Sequence, residues 1–200
     1  MSQSLAALLE ALQVTPAWVI GHSAGAALAV QMALDGRLNR AGTPQGIASI
    51  NGALLPLHGP GWTWFSPAAK LLAAAPGVPQ LVAWRAQGSA LVDRLLDATG
   101  SKTDEAGRRL YARLVGSPAH VAGALQMMAQ WDLPSLRRAL PGLSPELPLH
   151  LVVGERDATV PPHQAWQLKS LRPSARVSVL PGLGHLAHEE AAAAVLQALD

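Results

Sequence analysis

The 200-residue chain contains no cysteine. That absence excludes a disulfide framework and any thiolate metal site, and it is compatible with a reducing compartment such as the cytoplasm. Charge is also scarce: 14% of residues are charged, against 50% hydrophobic. This composition fits a globular protein and argues against disorder. The formal net charge is only +2 and the arginines are scattered, so nothing supports nucleic-acid binding. The longest apolar runs are broken by Gly, Pro or a charged residue well before the length of a membrane span. Residues 1–14 have neither a basic n-region nor a cleavage site. Leu5, Leu8, Leu9 and Leu12 instead fall at i, i+3, i+4 and i+7, the stripe of an amphipathic helix. Two hundred residues suit one domain with a sizeable core.

What is present is a nucleophile motif. Gly21-His22-Ser23-Ala24-Gly25 fits G-x-S-x-G. Ala17-Trp18-Val19-Ile20 before it reads as a buried parallel strand, and residues 26–34 after it read as a helix. A sharp strand-to-helix turn would lift the Ser23 hydroxyl clear of the backbone at strained dihedrals. Gly21 and Gly25, which have no Cβ, are expected to relieve the crowding. The backbone N–H of Ala24, the residue after the nucleophile, is the expected oxyanion donor. His22 is expected to pack beside the turn and is assigned no chemistry. A five-residue match recurs by chance, so its partners must decide.

A serine nucleophile needs a base, and the base needs an acid to orient it. Leu149-His150-Leu151-Val152-Val153 reads as another buried strand and ends in Gly154-Glu155-Arg156-Asp157. Asp157 thus sits where open α/β sheets place their chemistry, at a strand's C-terminal end; Glu155 is the rival acid. Residues 176–180 form a third apolar run, which leads to Pro181-Gly182-Leu183-Gly184-His185. His185 is the expected general base, with Asp157 holding its tautomer. His185-x-x-His188-Glu189 has a spacing that suggests a metal pair, but it is not H-E-x-x-H, and we expect no metal and no cofactor. His188 is expected to cap or solvate the start of the last helix.

The pattern along the chain predicts helix 3–13, strand 17–22, helix 24–36 and strand 46–51. A long, mostly helical insertion over about 54–146 follows. Strand 148–153, helix 161–170, strand 175–180 and helix 187–199 complete the chain. Strands alternating with helices imply a parallel sheet with right-handed crossovers. The insertion holds most of the aromatics and is punctuated by prolines. Placed between sheet strands and facing the nucleophile, it is expected to be a cap. Most of its aromatics would form its own core. Trp62, Trp64 and Phe65, near its Gly-Pro-Gly entrance, are the expected pocket lining, with Met127 and Met128 as an adaptable apolar wall.

With these residues in view, the chain resembles the α/β-hydrolase superfamily along nearly its whole length. More narrowly it resembles the magnesium-chelatase accessory proteins of bacteriochlorophyll biosynthesis. The stretches that carry the narrower resemblance are residues 19–27, Ser49-Ile50-Asn51-Gly52-Ala53-Leu54-Leu55-Pro56, residues 65–73, residues 119–128, Trp131-Asp132-Leu133 and residues 180–190. The motifs around Ser23, Asp157 and His185 are shared by the whole superfamily, and the insertion segments point to the subfamily. The resemblance implies an α/β-hydrolase fold and a cytoplasmic or membrane-peripheral protein that assists insertion of Mg²⁺ into protoporphyrin IX. It implies a small apolar ligand or a tetrapyrrole, and the chelatase system, as partners. A bound metal-porphyrin would find His58 and His120 in the insertion as ligands. A serine hydrolase acting on an apolar acyl substrate is the alternative.

The departure from the superfamily is at the front. Its members carry several strands before the nucleophile turn, including a His-Gly loop that supplies a second oxyanion donor. Here one helix precedes that strand. Loss of one such donor typically costs about 10²–10³ in rate. The strand ending at Gly21 would become a bare edge. We therefore expect the native protein to be longer than these 200 residues, starting upstream of Met1; coverage of that edge by another chain is the alternative.

Overall fold

A computed structural model describes residues 1–38, 44–56, 75, 77–86 and 89–199. Trp62, Trp64, Phe65 and His58 lie outside the described residues. The elements run α1 (Ser2–Ala11), β1 (Trp18–His22), α2 (Ala24–Leu34), β2 (Gly46–Ile50), α3 (Val78–Arg85), α4 (Ser89–Asp97), α5 (Glu105–Val115), α6 (Pro118–Ala129), α7 (Leu133–Ala139), a 3₁₀ turn (Leu140–Gly142), β3 (Leu149–Gly154), α8 (His163–Leu171), β4 (Arg176–Leu180), α9 (Ala187–Glu190) and α10 (Ala192–Leu199). The sheet is parallel throughout, in the order β1-β2-β3-β4.

Sequential order and right-handed crossovers together fix the layering. Every crossover must then return on the same side of the sheet. The larger apolar core lies on that side and joins Ala26, Ala29 and Val30 of α2, Leu133 and Leu136 of α7, and Ala165 and Leu168 of α8 to Ile47, Leu149 and Leu151. The chain reaches the opposite face after β4. There Ala187 and Val195 pack on Ile50, Val152 and Leu180. The expected single helix over 187–199 is broken at Ala191, which has φ −152 and ψ 68.

The helices between β2 and β3 start where their sequences supply caps. Asp104 accepts from Gly107 N–H at 2.7 Å, Ser117 from His120 N–H at 3.4 Å with Pro118 following, and Asp132 from Ser135 N–H at 3.0 Å. Each such cap satisfies one N–H that the helix cannot, worth about 1 kcal/mol.

Two expectations about the front change. The leucine stripe of α1 does not face the core: no residue of that helix is buried, and Leu5, Leu8 and Leu12 are exposed. Ala6 and Leu9 are half-buried instead. The leucines share one face, and only its Leu9 margin, beside Ala6, is half-buried. Among the described residues β1 stands at one end of the strand order and is half-buried on one face and exposed on the other. Val19 packs on the larger core, while Trp18 and Ile20 point to the opposite face and are 38% and 53% exposed. Helices α9 and α10 pack over β2, β3 and β4 and do not extend to cover them. Ile20→Lys should therefore stay within about 0.5 kcal/mol of the parent in urea unfolding. A loss several times that size would show that Ile20 is buried after all.

Candidate active site

Because all four strands run the same way, their C-terminal ends share one rim. Ser23 follows β1, Asn51 follows β2, Asp157 lies three residues past β3 and His185 five past β4. Ser23 has φ 51 and ψ −113, a left-handed backbone that a residue with a side chain adopts at a cost. Its N–H donates to the Ile50 carbonyl at 3.0 Å, and its own carbonyl accepts from Ala26 at 3.2 Å and Ala53 at 3.1 Å. The strained turn is thus tied to both β2 and α2. Gly21 makes it feasible, since a Cβ there would lie 2.5 Å from the Ala26 nitrogen and the Gly25 carbonyl carbon. Gly25 behaves differently from expectation. A Cβ on it would meet nothing within 4 Å among the described residues. It borders open space instead of relieving a clash.

Asp157 and His185 are brought together. His185 Nδ1 lies 2.8 Å from Asp157 Oδ2, and both side chains are almost wholly buried. The other carboxylate oxygen, Oδ1, accepts from the Thr159 and Val160 N–H groups at 2.8 Å each. The Asp157 carboxylate is therefore fixed by three donors, and the imidazole that donates Nδ1–H to it keeps Nε2 free to take a proton. Glu155, the rival acid, accepts instead from Gly182 N–H at 2.8 Å. No hydrogen bond joins Ser23 to His185 among the described residues. The two are linked through His22, next to Ser23, whose ring lies 4.7 Å from the His185 ring.

Two residues passed over in the sequence hold this rim. Asn51 is fully buried at φ 46, a conformation asparagine tolerates better than most residues. Its Oδ1 accepts from Gly154 N–H at 2.7 Å; its Nδ2 donates to the carbonyls of Gly184 at 3.0 Å and His185 at 2.6 Å. A flipped amide would set oxygen against both carbonyls, so one orientation alone satisfies the contacts. His22 is the second. Its Nε2 lies 2.8 Å from the same His185 carbonyl, which can only accept, so His22 carries its proton there. The available signal for Asn51 was a polar residue directly after an apolar strand, which reads locally as an ordinary turn residue.

His188 does not solvate the last helix as expected. Its ring lies 4.2 Å from that of His22, tilted by 44°, and its Nδ1 is buried with no hydrogen-bond partner. Burial first, then the neighbouring His185, pulls the pKa of His22 down to about 4. Burial also lowers His188, against the opposing pull of Glu189. Both rings are thereby held neutral beside the acid–base pair. Among the described residues no group of three or more His, Asp or Glu is arranged to hold a metal ion.

Beside the turn lies a cavity of about 380 Å³, lined mainly by Ala24, Gly25, Ala27 and Leu28 of α2 and by Met127, Trp131, Leu133 and Leu136. Met127 lines this cavity and Met128 does not; Ser23, Asp157 and His185 are not among its lining residues. His120 is exposed on α6. Ala24 opens α2, where a helix N–H has no intrahelical acceptor.

A strained serine between a parallel strand and a helix, with a buried Asp–His pair on the same rim, defines the class of α/β protein built for nucleophile display. Comparison with known proteins gives the family. A model of the alpha/beta hydrolase family matches residues 2–198, and the chain belongs to that family. It is similar to the magnesium-chelatase 30 kDa subunit of Rhodobacter capsulatus, with 41% identity over 192 residues. The match covers 96% of this chain and 64% of that relative, so the chain spans less than two thirds of its length. Among solved structures it resembles an α/β hydrolase fold protein from Burkholderia ambifaria, with TM-score 0.75 and 21% identity over 99% of this chain and 70% of that one. It also resembles an esterase from Exiguobacterium antarcticum, with TM-score 0.70 and 13% identity over 100% of this chain and 70% of that one. At these identities the structural likeness speaks for the fold. No helix among the described residues is long and apolar enough to cross a membrane.

The histidine cluster makes stability depend on acid. The unfolded His22 binds a proton near the ordinary histidine value of 6.5, while the folded one stays neutral down to about 4. Between those values the unfolded state holds more protons, so stability falls as pH falls. With partial exposure of the ring discounted, the loss should be about 2 kcal/mol. Urea unfolding across this range should show the slope, and His22→Gln, which keeps a donor without the titration, should remove most of it. An unchanged slope in that variant would mean that other groups titrate.

Proposed function

We propose that this chain is an accessory subunit of a magnesium-chelatase system. In this reading it assists insertion of Mg²⁺ into protoporphyrin IX on the route to bacteriochlorophyll, in the cytoplasm, and it acts through serine-hydrolase chemistry at Ser23. The observation that carries the system is the 41% identity, over 96% of this chain, to a protein named as a magnesium-chelatase subunit. The observation that supports the chemistry is the buried His185–Asp157 pair, 2.8 Å apart, on the rim that also carries strained Ser23.

The steps follow from the groups present. Ser23 Oγ attacks an acyl carbonyl while His185 Nε2 takes its proton and later returns it to the leaving group. Asp157 holds the imidazole and stabilises its cation. The Ala24 N–H faces the oxyanion. Water then clears the acyl-enzyme. The helical segment of about 54–146 serves as a cap, Met127 contributes an apolar wall, and the ligand is a small apolar acyl compound or a tetrapyrrole derivative. Trp62, Trp64 and Phe65 complete the proposed lining.

A second reading has its own support. The triad contacts are incomplete, since Ser23 and His185 share no hydrogen bond among the described residues, and a capped pocket can bind without turnover. Ser23→Ala separates the two. Expected is complete loss of labelling by a fluorophosphonate probe, together with a drop of at least about 10³-fold in ester hydrolysis. Magnesium chelation in a deletion strain carrying the variant should fail. Normal chelation with Ser23→Ala would remove catalysis from the biological role and leave the binding module.

A further inference from the structure

The acid–base pair is also gripped from the helical side. Helix α4 ends in a turn: Thr99 N–H donates to Leu96 O at 3.0 Å, and Gly100 N–H to Asp97 O at 3.1 Å. The Thr99 hydroxyl also donates to Leu96 O, at 2.6 Å. Gly100 then reverses the chain at φ 77. This leaves the Thr99 carbonyl pointing outward, where it accepts two N–H groups, from Ala158 and from His185, each at 3.2 Å. One of these residues follows the acid and the other is the base. Two residues on, the buried Ser101 hydroxyl accepts from Leu186 N–H at 2.8 Å.

The backbones meet too closely for side chains. A Cβ on Gly100 would overlap the Arg156 carbonyl oxygen, and one on Gly184 would overlap the Gly100 carbonyl carbon and the Ser101 nitrogen. The contact spreads into the helices. Leu186 is buried in an apolar cluster with Ala86, Val92 and Leu96, against which Tyr111 packs. The Tyr111 hydroxyl donates to Glu189 at 2.6 Å; burial and that carboxylate push its pKa well up, so it stays a donor. Glu190 accepts from Gly184 N–H at 2.8 Å and from Lys102 N–H at 2.9 Å. The hairpin of α4 and α5 and the loop that carries His185 are thus joined along their length.

We infer that the turn Thr99–Ser101 is a positioning element for Asp157 and His185, with Gly100 and Ser101 as its positioning residues. The Thr99 carbonyl sets the spacing of the two loops, and the Ser101 hydroxyl fixes the chain just past the base. Where α4 and α5 sit therefore decides how the pair is aligned. The inference rests on the reading that this pair serves Ser23.

The test uses Ser101→Ala, with Ser117→Ala as control, since the Ser117 hydroxyl caps α6 and has no bond to either loop. Two readouts are taken. The first is the low-field proton resonance of His185 Nδ1–H, which reports its bond to Asp157 and needs no substrate. The second is hydrolysis of p-nitrophenyl esters. Expected for Ser101→Ala is a broadened or lost low-field proton and a fall in kcat of about 10- to 100-fold with KM within twofold, in line with the cost of a misplaced group. Ser117→Ala should keep both. Where Ser101→Ala loses expression, Tyr111→Phe, which removes the bond to Glu189, should show the same change in weaker form. A low-field proton and kcat that survive in both Ser101→Ala and Tyr111→Phe would overturn the inference. An unperturbed chain that hydrolyses no ester, yet loses the low-field proton in Ser101→Ala alone, would sink the hydrolase reading while supporting the positioning role.

Discussion

One buried carboxamide closes the gap between the ends of β2, β3 and β4. Asn51 takes the amide of Gly154 on one side and gives its two protons to the carbonyls of Gly184 and His185 on the other. Gly154 ends β3 and Gly184 and His185 lie past β4, all three buried, and an unpaired buried polar group costs about 1–3 kcal/mol. The carboxamide answers three of them at once. In doing so it fixes the spacing between the loop that leads to Asp157 and the loop that carries His185. Their 2.8 Å contact depends on that spacing. His22 adds a second donor to the His185 carbonyl, so the main chain of the base is anchored even before its side chain finds the carboxylate.

Much of this architecture was legible in the sequence because each strand is a short apolar run closed by a polar loop. The runs ending at Ile20, Ile50, Val153 and Leu180 place four parallel strands, and the residues after three of them name Ser23, Asp157 and His185. Of these, β2 and β3 are buried on both faces, as parallel strands commonly are. The pairing of Asp157, and not Glu155, with His185 also followed from position along the loop.

What was not legible is whatever depends on distant partners. Asn51 looks like any turn residue until residues 103 and 134 positions away arrive beside it. The turn at Thr99–Ser101 carries no motif at all, because its work is done by a carbonyl and by the absence of a Cβ at Gly100. His188 reads as a solvated helix start, whereas its ring packs at a tilt against His22. The leucines of α1 spell a stripe, yet of its apolar residues only Ala6 and Leu9 are half-buried. In each case periodicity describes the local chain correctly and says nothing of what the tertiary fold brings to it.

The span of the Asn51 bonds has a kinetic consequence. Closing long loops costs entropy that grows with the logarithm of their length, and contacts far apart along the chain slow the search for the native state. The serine turn needs residues only about thirty positions away, at Ile50 and Ala53. The base has its place only once β4 has paired and loops of more than a hundred residues have shut. During synthesis Ser23 therefore emerges early, while His185 is still being made. A chain with an assembled rim is one that has finished folding.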